Sequence, residues 1–235
     1  MNARKTIKTT VRRLLRRFSP GGYEEEILRP RQLLGTEYGG WVVDPTLLDS
    51  RSIIYSFGTG TDISFDIALI DALGCNVFAF DPTPRSMEWL RTQPLPTQFH
   101  FNATGISDVD GDLTFFPPAN AAHASYSISP SSRSGGAPIK AKVERLSTAM
   151  HRLGHISLDL LKLDVEGSEY RVLKNILDEN ISVKQLLVEF HHGMYGYRWS
   201  DTSGSVRLLR QHGYRLFDVQ PSGREHSFLL SKYHV

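Results

Sequence analysis

Two glycines separated by one residue interrupt the chain just after a run of β-branched and aromatic residues. Gly58 and Gly60 can adopt backbone angles that other residues avoid, so a ligand can approach the main chain closely there. About twenty residues further on, Asp81 ends the next apolar run, where an acid can accept hydrogen bonds from two ribose hydroxyls. This spacing predicts a nucleotide-binding unit made of a strand, a turn and a helix.

The ligand expected from this turn is a nucleoside without phosphates. The full dinucleotide fingerprint has a third glycine, whereas Asp62 and Ser64 stand where it would fall in this chain. The missing glycine argues against a pyrophosphate at the helix N-terminus. A plain α/β turn, with Asp81 capping the helix that begins beside Pro82, is the structural alternative.

Four more polar residues follow two later strands at the points where those strands end. Asp164 and Glu166 come directly after one buried run, and Glu189 and His191 close the next. In an open α/β sheet, ligands bind at the carboxyl ends of the strands, beside the place where the strand order reverses. We therefore expect these four side chains to share one crevice with the glycine turn.

Several kinds of chemistry suit these side chains. Asp164 and Glu166 can hold an ammonium group, bind a divalent cation or act as a general base with a raised pKa. A histidine has an unperturbed pKa near ~6.5, so His191 could take a proton from an acceptor hydroxyl. With Asp164 and Glu189 it could also ligate a metal. His191 is preferred to His192 because it shares strand parity with Glu189.

A Rossmann-like scaffold would bring these residues together. Apolar runs bounded by turn residues predict parallel strands at 53–57, 76–80, 98–102, 158–163 and 185–190. Helices are predicted at 63–73, 82–90, 143–153, 168–176 and 203–212. Two antiparallel strands at 214–219 and 227–230 complete an α/β fold with a seven-stranded, mostly parallel sheet, an antiparallel terminal hairpin and helices on both faces.

Smaller features surround this scaffold. A short strand or hairpin is predicted within 33–48, with Trp41 as a packing anchor, and a small hairpin arm is predicted at 111–116. Ser107 and Asp108 follow the third strand, where they could touch a purine ring or could serve only as turn residues. Ser168 suits the cap of the helix that follows it, and Glu169 suits the first turn of that helix.

Length and composition indicate one main globular domain with an N-terminal extension. The chain has 235 residues and a formal net charge of +2, yet residues 1–31 contain nine Lys or Arg and three Glu. A single cysteine, Cys75, cannot form an internal disulfide, and no apolar run approaches the length of a membrane span. We expect a basic extension at 1–50, a catalytic domain at 51–235 and a cytoplasmic location.

Two segments outside the scaffold have less certain roles. Residues 1–18 have apolar positions at helical spacing and seven basic residues, which predicts a basic amphipathic helix. Such a helix can contact an anionic membrane surface, or it can dock on its own domain or on a partner. Residues 117–138 predict a mobile loop over the carboxyl edge of the sheet, either a lid or an insertion without function.

The motifs together resemble the FkbM-type S-adenosylmethionine-dependent methyltransferases of class I. The residues that carry the resemblance are those at 56–60, 80–82, 162–169 and 189–191, of which Asp-Val-Glu-Gly-x-Glu is the most specific. The resemblance implies S-adenosylmethionine as methyl donor and commonly O-methylation of a hydroxyl on a sugar, glycoconjugate or natural product. Ser56 departs from the family, whose first strand usually ends in Asp-x-Gly, and Asp62 or Asp164 could replace that acid.

This resemblance completes a set of expected site residues. Asp81 is assigned to the ribose, Asp164 and Glu166 to the methionine ammonium or the acceptor, and His191 to proton removal. The residues expected to bind the donor are Ser56, Gly58, Thr59, Gly60, Asp62, Asp81, Ser107, Asp164 and Glu166. The residues expected in catalysis are His191, Asp164 and Glu189, and the same three could hold a divalent metal.

Two other function classes remain open from the sequence. A nicotinamide-dependent oxidoreductase would share the first strand, turn and helix, but it would normally show the third glycine. A catalytically silent binding or scaffold module would explain the departure at Ser56. The expected partner is a small-molecule or glycan acceptor. Nucleic-acid recognition is not expected, because the basic residues concentrate in one short helix without interleaved aromatic residues.

Overall fold

The computed structural model describes residues 25–118, 126–128 and 136–233. The predicted helix at 1–18 lies outside the described residues, as does most of the predicted loop at 117–138. Among the helices that are described, none has the length and apolar character that a membrane crossing requires.

In the described part of the chain, twelve strands form one large sheet and two small ones. They are β1 Gln32–Leu34, β2 Trp41–Val43, β3 Ile53–Phe57, β4 Asn76–Phe80, β5 Phe99–Asn102, β6 Gly105–Ile106, β7 Gly111–Phe115, β8 Ile139–Glu144, β9 Leu158–Leu163, β10 Val183–Glu189, β11 Tyr214–Val219 and β12 Glu225–Leu230. The large sheet has the order β11-β12-β10-β9-β3-β4-β5. Strands β10, β9, β3, β4 and β5 run parallel to one another. Strand β12 is antiparallel to both of its neighbours, β10 and β11. The predicted α/β sheet with its terminal hairpin is therefore confirmed.

Five helices cover both faces of this sheet, as predicted. They are α1 Ser64–Leu73, α2 Pro84–Leu90, α3 Leu146–Leu153, α4 Glu169–Asp178 and α5 Trp199–Gln211. Successive side chains of a strand point to opposite faces. Accordingly, Tyr55 and Phe57 pack in one core with α3, α4 and α5, whereas Ile54 packs in a second core with α1.

Local signals explain where the first helices begin and end. Gly74 ends α1 in the left-handed conformation, with φ of +69°, and its N–H donates to the carbonyl of Ile70 at 2.7 Å. Thr83 is the N-cap of α2, and Pro84 occupies the first turn, where its missing N–H costs no hydrogen bond. The end at Gly74 agrees with the sequence prediction, whereas α2 begins two residues later than predicted, with Thr83 and not Asp81 as its cap.

The region before α3 differs from its prediction. Residues 139–144 form β8, which pairs antiparallel with β7 and parallel with β6, so the helix predicted from 143 begins only at Leu146. Ile139, Ala141 and Val143 alternate with charged residues on this small sheet, so the strand signal was present in the sequence and the prediction overlooked it. The predicted hairpin arm at 111–116 is confirmed as β7, with β8 as its partner.

The predicted hairpin within 33–48 is confirmed as β1 and β2. It lies over the core that contains α1, where Trp41 is 3% exposed. The Ser227 hydroxyl donates to the carbonyl of Val42 at 2.7 Å, which ties the hairpin to β12 of the large sheet. Part of the predicted 1–50 extension thus shares a core with the main sheet, and the boundary at residue 50 stays a prediction.

Candidate active site

A cleft of about 510 Å³ opens at the carboxyl ends of β3, β4, β9 and β10. The order of the large sheet reverses between β3 and β9, so the cleft lies at the switch point expected for a ligand. Most of the predicted site residues line it, namely Gly58, Thr59, Gly60, Asp62, Asp81, Asp164, Glu166, Glu189 and His191. The single crevice inferred from the sequence is therefore present among the described residues.

Two predicted donor-binding residues do not line the cleft. Ser56 is completely buried and has the strand parity of Ile54, so it points at α1, where it lies beside the buried Asp66. Ser107 is 2% exposed, because its N–H donates to the carbonyl of Glu144 and its hydroxyl donates to Asp108. Both assignments need correction. The strand parity of Ser56 turns its side chain away from the cleft, and the pairing of Ser107 with β8 turns its side chain away as well.

The glycine turn brings the end of β3 against the end of β9. Gly58 has φ of +85°, and a Cβ atom built on it would lie 1.7 Å from the carbonyl oxygen of Asp164. The space left by the missing side chain is thus filled by the protein backbone and not by a ligand. Gly60 has φ of +55°, and its N–H points at the carboxylate of Asp81. The turn therefore needs glycine both for conformation and for strand packing.

Asp81 connects the glycine turn to α2. Its Oδ2 accepts from the N–H of Gly60 at 2.8 Å, and its Oδ1 accepts from the N–H and hydroxyl of Thr83 at 2.8 and 2.6 Å. A carboxylate oxygen has two lone pairs, so Oδ2 retains one for a ligand hydroxyl. The capping role that the sequence left as an alternative belongs to Thr83, and Asp81 supports that cap while keeping an oxygen lone pair free to accept from a ligand.

Asp62 ties the segment before β2 to the glycine turn. Its carboxylate accepts from the Thr36 hydroxyl at 2.9 Å and from the N–H of Ser64 at 2.8 Å. Burial alone would raise its pKa, but these hydrogen bonds outweigh burial and lower the pKa of Asp62. The side chain is therefore ionised at neutral pH and contributes negative charge to the cleft wall.

Lys162 is a cleft residue that the sequence analysis did not assign. It is 5% exposed, and its ammonium donates to the carbonyl of Gly58 at 2.9 Å. It also lies 3.7 Å from the Asp164 carboxylate and 5.8 Å from the ring centre of Trp41. The sequence contained one signal for it, since a charged residue seldom occurs within an otherwise apolar buried strand.

Asp164 and Glu189 form a carboxyl pair at the ends of β9 and β10. Burial and the neighbouring Asp164 raise the pKa of Glu189 to about 8. Burial also raises the pKa of Asp164, although 28% of its side chain is exposed in the cleft. A carboxyl whose pKa lies near the working pH suits a general base better than an ordinary carboxylate does.

Glu166 is held in an uncommon backbone conformation. Its φ is +50°, a value that a residue with a side chain seldom adopts. The Tyr195 hydroxyl donates to its Oε2 at 2.6 Å, and the Ser127 hydroxyl donates to its carbonyl at 3.0 Å. Such conformations persist where the surroundings fix them, and they are concentrated at functional sites.

His191 is surrounded by carboxylates. Its Nε2 lies 3.3 Å from Glu166 and 3.9 Å from both Asp164 and Glu189, and its Nδ1 lies 3.2 Å from the buried Glu169. Burial alone would lower its pKa, but the hydrogen bonds and charges of Glu166 and Glu169 raise the pKa of His191 to about 11.

The imidazole is therefore protonated at neutral pH. An imidazolium has no lone pair with which to accept a proton, so in this arrangement His191 does not meet the requirement for the predicted base. Sequence reasoning placed His191 correctly in the crevice. It did not predict the charge of the ring, which depends on carboxylates of the turn after β9, of α4 and of β10. Glu169, expected only to favour the first turn of α4, is one of them.

The metal site left open by the sequence has a related geometry. Ligand atoms of Asp164, Glu166 and His191 lie within 4.8 Å of one another, and Glu189 stands beside them. A histidine must lose its Nε2 proton before that nitrogen can bind a cation. The carboxylates that raise the pKa of His191 oppose this loss, but they also attract cations, so the metal site stays a prediction.

A second feature bears on the oxidoreductase alternative. Enzymes of that kind commonly use a Tyr-x-x-x-Lys pair. The expectation that this chain has no such pair was wrong, because Tyr170 and Lys174 have this spacing. Tyr170 stacks on Tyr197 and shares a hydrogen bond with Thr202, while Lys174 is exposed and pairs with Asp178. Neither Tyr170 nor Lys174 lines the cleft, so the spacing reflects the surface of α4 and not a catalytic pair.

Comparisons with known proteins identify the family of this chain. A family model described as "Methyltransferase FkbM domain" matches residues 56–216. The chain is 29% identical over 190 residues to "Probable methyltransferase-like protein 24" of Rattus norvegicus, which covers 76% of this chain and 46% of that protein. It is 28% identical over 178 residues to "Hexuronic acid methyltransferase AglP" of Haloferax volcanii, which covers 72% of this chain and 68% of that protein.

The chain thus spans under half the length of the rat relative. Among solved structures, the crystal structure of methyltransferase FkbM from Methylobacillus flagellatus KT is 12% identical, with a TM-score of 0.48, and covers 77% of this chain and 44% of that chain.

Proposed function

The chain belongs to the FkbM family of methyltransferases, and we propose that it transfers a methyl group from S-adenosylmethionine to a hydroxyl oxygen of a sugar or similar small acceptor. The observation that carries this proposal is the acidic cleft at the carboxyl ends of β3, β4, β9 and β10. The Haloferax volcanii relative is named as a hexuronic acid methyltransferase, and this name supports a sugar as the acceptor.

The charge of the cleft suits this donor. The described acidic residues that line it are Glu37, Asp62, Asp81, Asp164, Glu166, Glu189 and Glu225. The basic residues that line it are Lys162 and Arg224, together with the protonated His191. The balance is negative, and S-adenosylmethionine carries a sulfonium and an ammonium group. Opposite charges attract strongly in a partly buried site, so the donor set present fits the cofactor.

Particular residues would hold the donor. The free lone pair of Asp81 Oδ2 is available to a ribose hydroxyl beside the glycine turn. Asp164 and Glu166 offer carboxylate oxygens to the methionine ammonium or to the acceptor. When bound, the cofactor supplies an electrophilic methyl carbon on its sulfonium sulfur. The protein therefore needs mainly to align the acceptor oxygen and to remove its proton.

We assign proton removal to Glu189. In its ionised form this carboxylate accepts the proton of the acceptor hydroxyl, and burial and the charge of the neighbouring Asp164 raise its pKa. His191 donates towards the carboxylates and offsets part of their mutual repulsion, because its Nε2 lies within 3.9 Å of both members of the pair. The three residues expected in catalysis thus keep a role, with the base moved from His191 to Glu189.

The remaining cleft wall suits a sugar ring. Tyr38 and Tyr126 present aromatic rings to the cleft, and Arg224 adds a cationic group on the turn between β11 and β12. Pockets for small ligands combine apolar and aromatic surface with a few polar groups that fix orientation. A hydroxylated ring with a carboxylate would use both kinds of contact.

Calorimetry with S-adenosylhomocysteine tests the donor site. We expect the wild type to bind S-adenosylhomocysteine and not NAD. Asp81→Asn should weaken binding by about 10- to 100-fold, since a hydrogen bond to a charged group contributes roughly 1.5–3 kcal/mol. Asp71→Ala, which removes an exposed acid of α1, is the matched control and should bind as the wild type does. Unchanged affinity in Asp81→Asn would disprove the ribose role.

An acceptor screen tests the reaction itself. Donor labelled in its methyl group should transfer label to uronic acids or neutral sugars, with the product identified as a methyl ether by mass spectrometry. Transfer to amines alone would exclude O-methylation. Binding of S-adenosylhomocysteine without transfer to any acceptor would favour the silent binding module.

A further inference from the structure

Glu169 is a buried acid that the proposed reaction does not yet use. It is the first residue of α4, and its exposure is 0%. Its Oε2 accepts from the N–H of Gly167 at 2.9 Å. Its Oε1 accepts from the N–H of His191 at 2.9 Å and lies 3.2 Å from His191 Nδ1. One carboxylate therefore joins the turn after β9 to the end of β10.

The contacts of Glu169 determine the proton arrangement of His191. A carboxylate can only accept hydrogen bonds, so Nδ1 must carry a proton to bond to Oε1. The bond to the backbone N–H of the same histidine fixes the position of Oε1 relative to the ring. The imidazole plane is consequently set from the Nδ1 side, and the Nε2–H is directed to the opposite side.

That opposite side is the carboxyl cluster of the cleft. From Nε2, Glu166 lies at 3.3 Å, and Asp164 and Glu189 lie at 3.9 Å. We propose that Glu169 is a positioning residue that orients His191, so that the Nε2–H of the histidine points at Glu166 and its positive charge offsets the repulsion among Glu166, the base Glu189 and Asp164. This inference rests on the proposed methyl transfer, in which Glu189 removes the proton of the acceptor.

The same arrangement explains why the turn after β9 is strained. The bond between Gly167 and Glu169 requires the chain to turn sharply after β9, and Gly167 has φ of +98° while Glu166 has φ of +50°. This turn delivers Glu166 to Nε2 and Glu169 to Nδ1 of one imidazole. Two carboxylates three residues apart thereby contact the two ring nitrogens of a histidine on the next strand.

A double-mutant cycle tests whether Glu169 acts through His191. Glu169→Gln keeps the volume and removes the charge. His191→Gln keeps an amide at about the reach of Nε2 but loses the Nδ1 donor. We expect Glu169→Gln to lower kcat by about 10- to 100-fold, as for other residues that orient an active-site histidine, with little change in the KM of the donor. In the His191→Gln background, Glu169→Gln should cause no further loss of kcat.

Asp178→Asn is the matched control, since this exposed acid lies on the same helix. It should leave kcat unchanged. An equal loss of kcat from Glu169→Gln in both backgrounds would overturn the proposal, because it would show that Glu169 acts independently of His191.

Nitrogen NMR of the wild-type His191 ring keeps the proposal testable if Glu169→Gln fails to fold. We expect a protonated Nδ1 in a hydrogen bond, and an unprotonated Nδ1 at neutral pH would overturn the inference. The ring measurement also separates two failures. If the wild type methylates no acceptor, the proposed function fails, while the NMR signal still decides whether Glu169 orients His191.

Discussion

The contact between Gly58 and Asp164 allows a quantitative prediction. An alanine Cβ at residue 58 would lie 1.7 Å from the Asp164 carbonyl oxygen. The two strand ends are joined by the bond from the Asp164 N–H to the Phe57 carbonyl at 3.2 Å, and the Lys162 ammonium bonds to the Gly58 carbonyl. The chain cannot relieve the overlap without breaking these bonds at the centre of the cleft.

The expected cost of Gly58→Ala has two parts. A residue with a side chain in the left-handed region costs about 1–2 kcal/mol. Overpacking that displaces backbone costs about 1–3 kcal/mol more. We therefore expect the free energy of unfolding to fall by about 2–5 kcal/mol, a large part of the ~5–15 kcal/mol typical of a domain. S-adenosylhomocysteine should also bind more weakly, because the displaced turn carries the cleft wall.

Gly154→Ala separates the two parts. Gly154 ends α3 with φ of +74°, but no atom lies within 4 Å of its would-be Cβ. This variant should lose only the conformational part, about 1–2 kcal/mol, and should keep its affinity for S-adenosylhomocysteine. Urea unfolding followed by circular dichroism measures both variants. If Gly58→Ala costs no more than Gly154→Ala, the reasoning from strand packing is refuted.

Three further predictions concern the carboxyl cluster. Glu189→Gln should lower kcat by about 10²- to 10⁴-fold with little loss of S-adenosylhomocysteine affinity. The wild-type rate should rise with pH through about 8, where Glu189 ionises. A flat pH profile would contradict the role of Glu189 as base. The raised pKa of His191 stabilises the fold fully below its unfolded value of about 6.5, and this contribution is lost as pH rises through about 11. His191→Gln should therefore show a smaller fall in unfolding free energy over that range, measured by urea titration at several pH values. Dialysis against EDTA should leave activity intact, because the proposed base is Glu189 and needs no cation to accept a proton, and recovery of lost activity by Mg²⁺ would contradict this.

The strands and the position of the cleft could be predicted because their signals are local. Buried strands such as those that precede Gly58 and Asp164 are runs of apolar residues, and the polar residues that follow them occur where parallel strands end. The strand at 139–144 was missed although Ile139, Ala141 and Val143 alternate with charged residues, because the prediction extended the following helix back to Val143.

The sequence by itself determined the sheet, its terminal hairpin and the group of residues that meet at one edge, since these follow from hydrophobic period and turn chemistry. Only the tertiary structure decided what those residues do to one another. The charge of His191 depends on carboxylates from other segments at 3.2–3.9 Å, and the need for glycine at 58 depends on a carbonyl of the neighbouring strand. Coulomb forces and steric overlap act between groups that lie a few ångströms apart in space. The number of residues between two groups in the sequence does not give that distance.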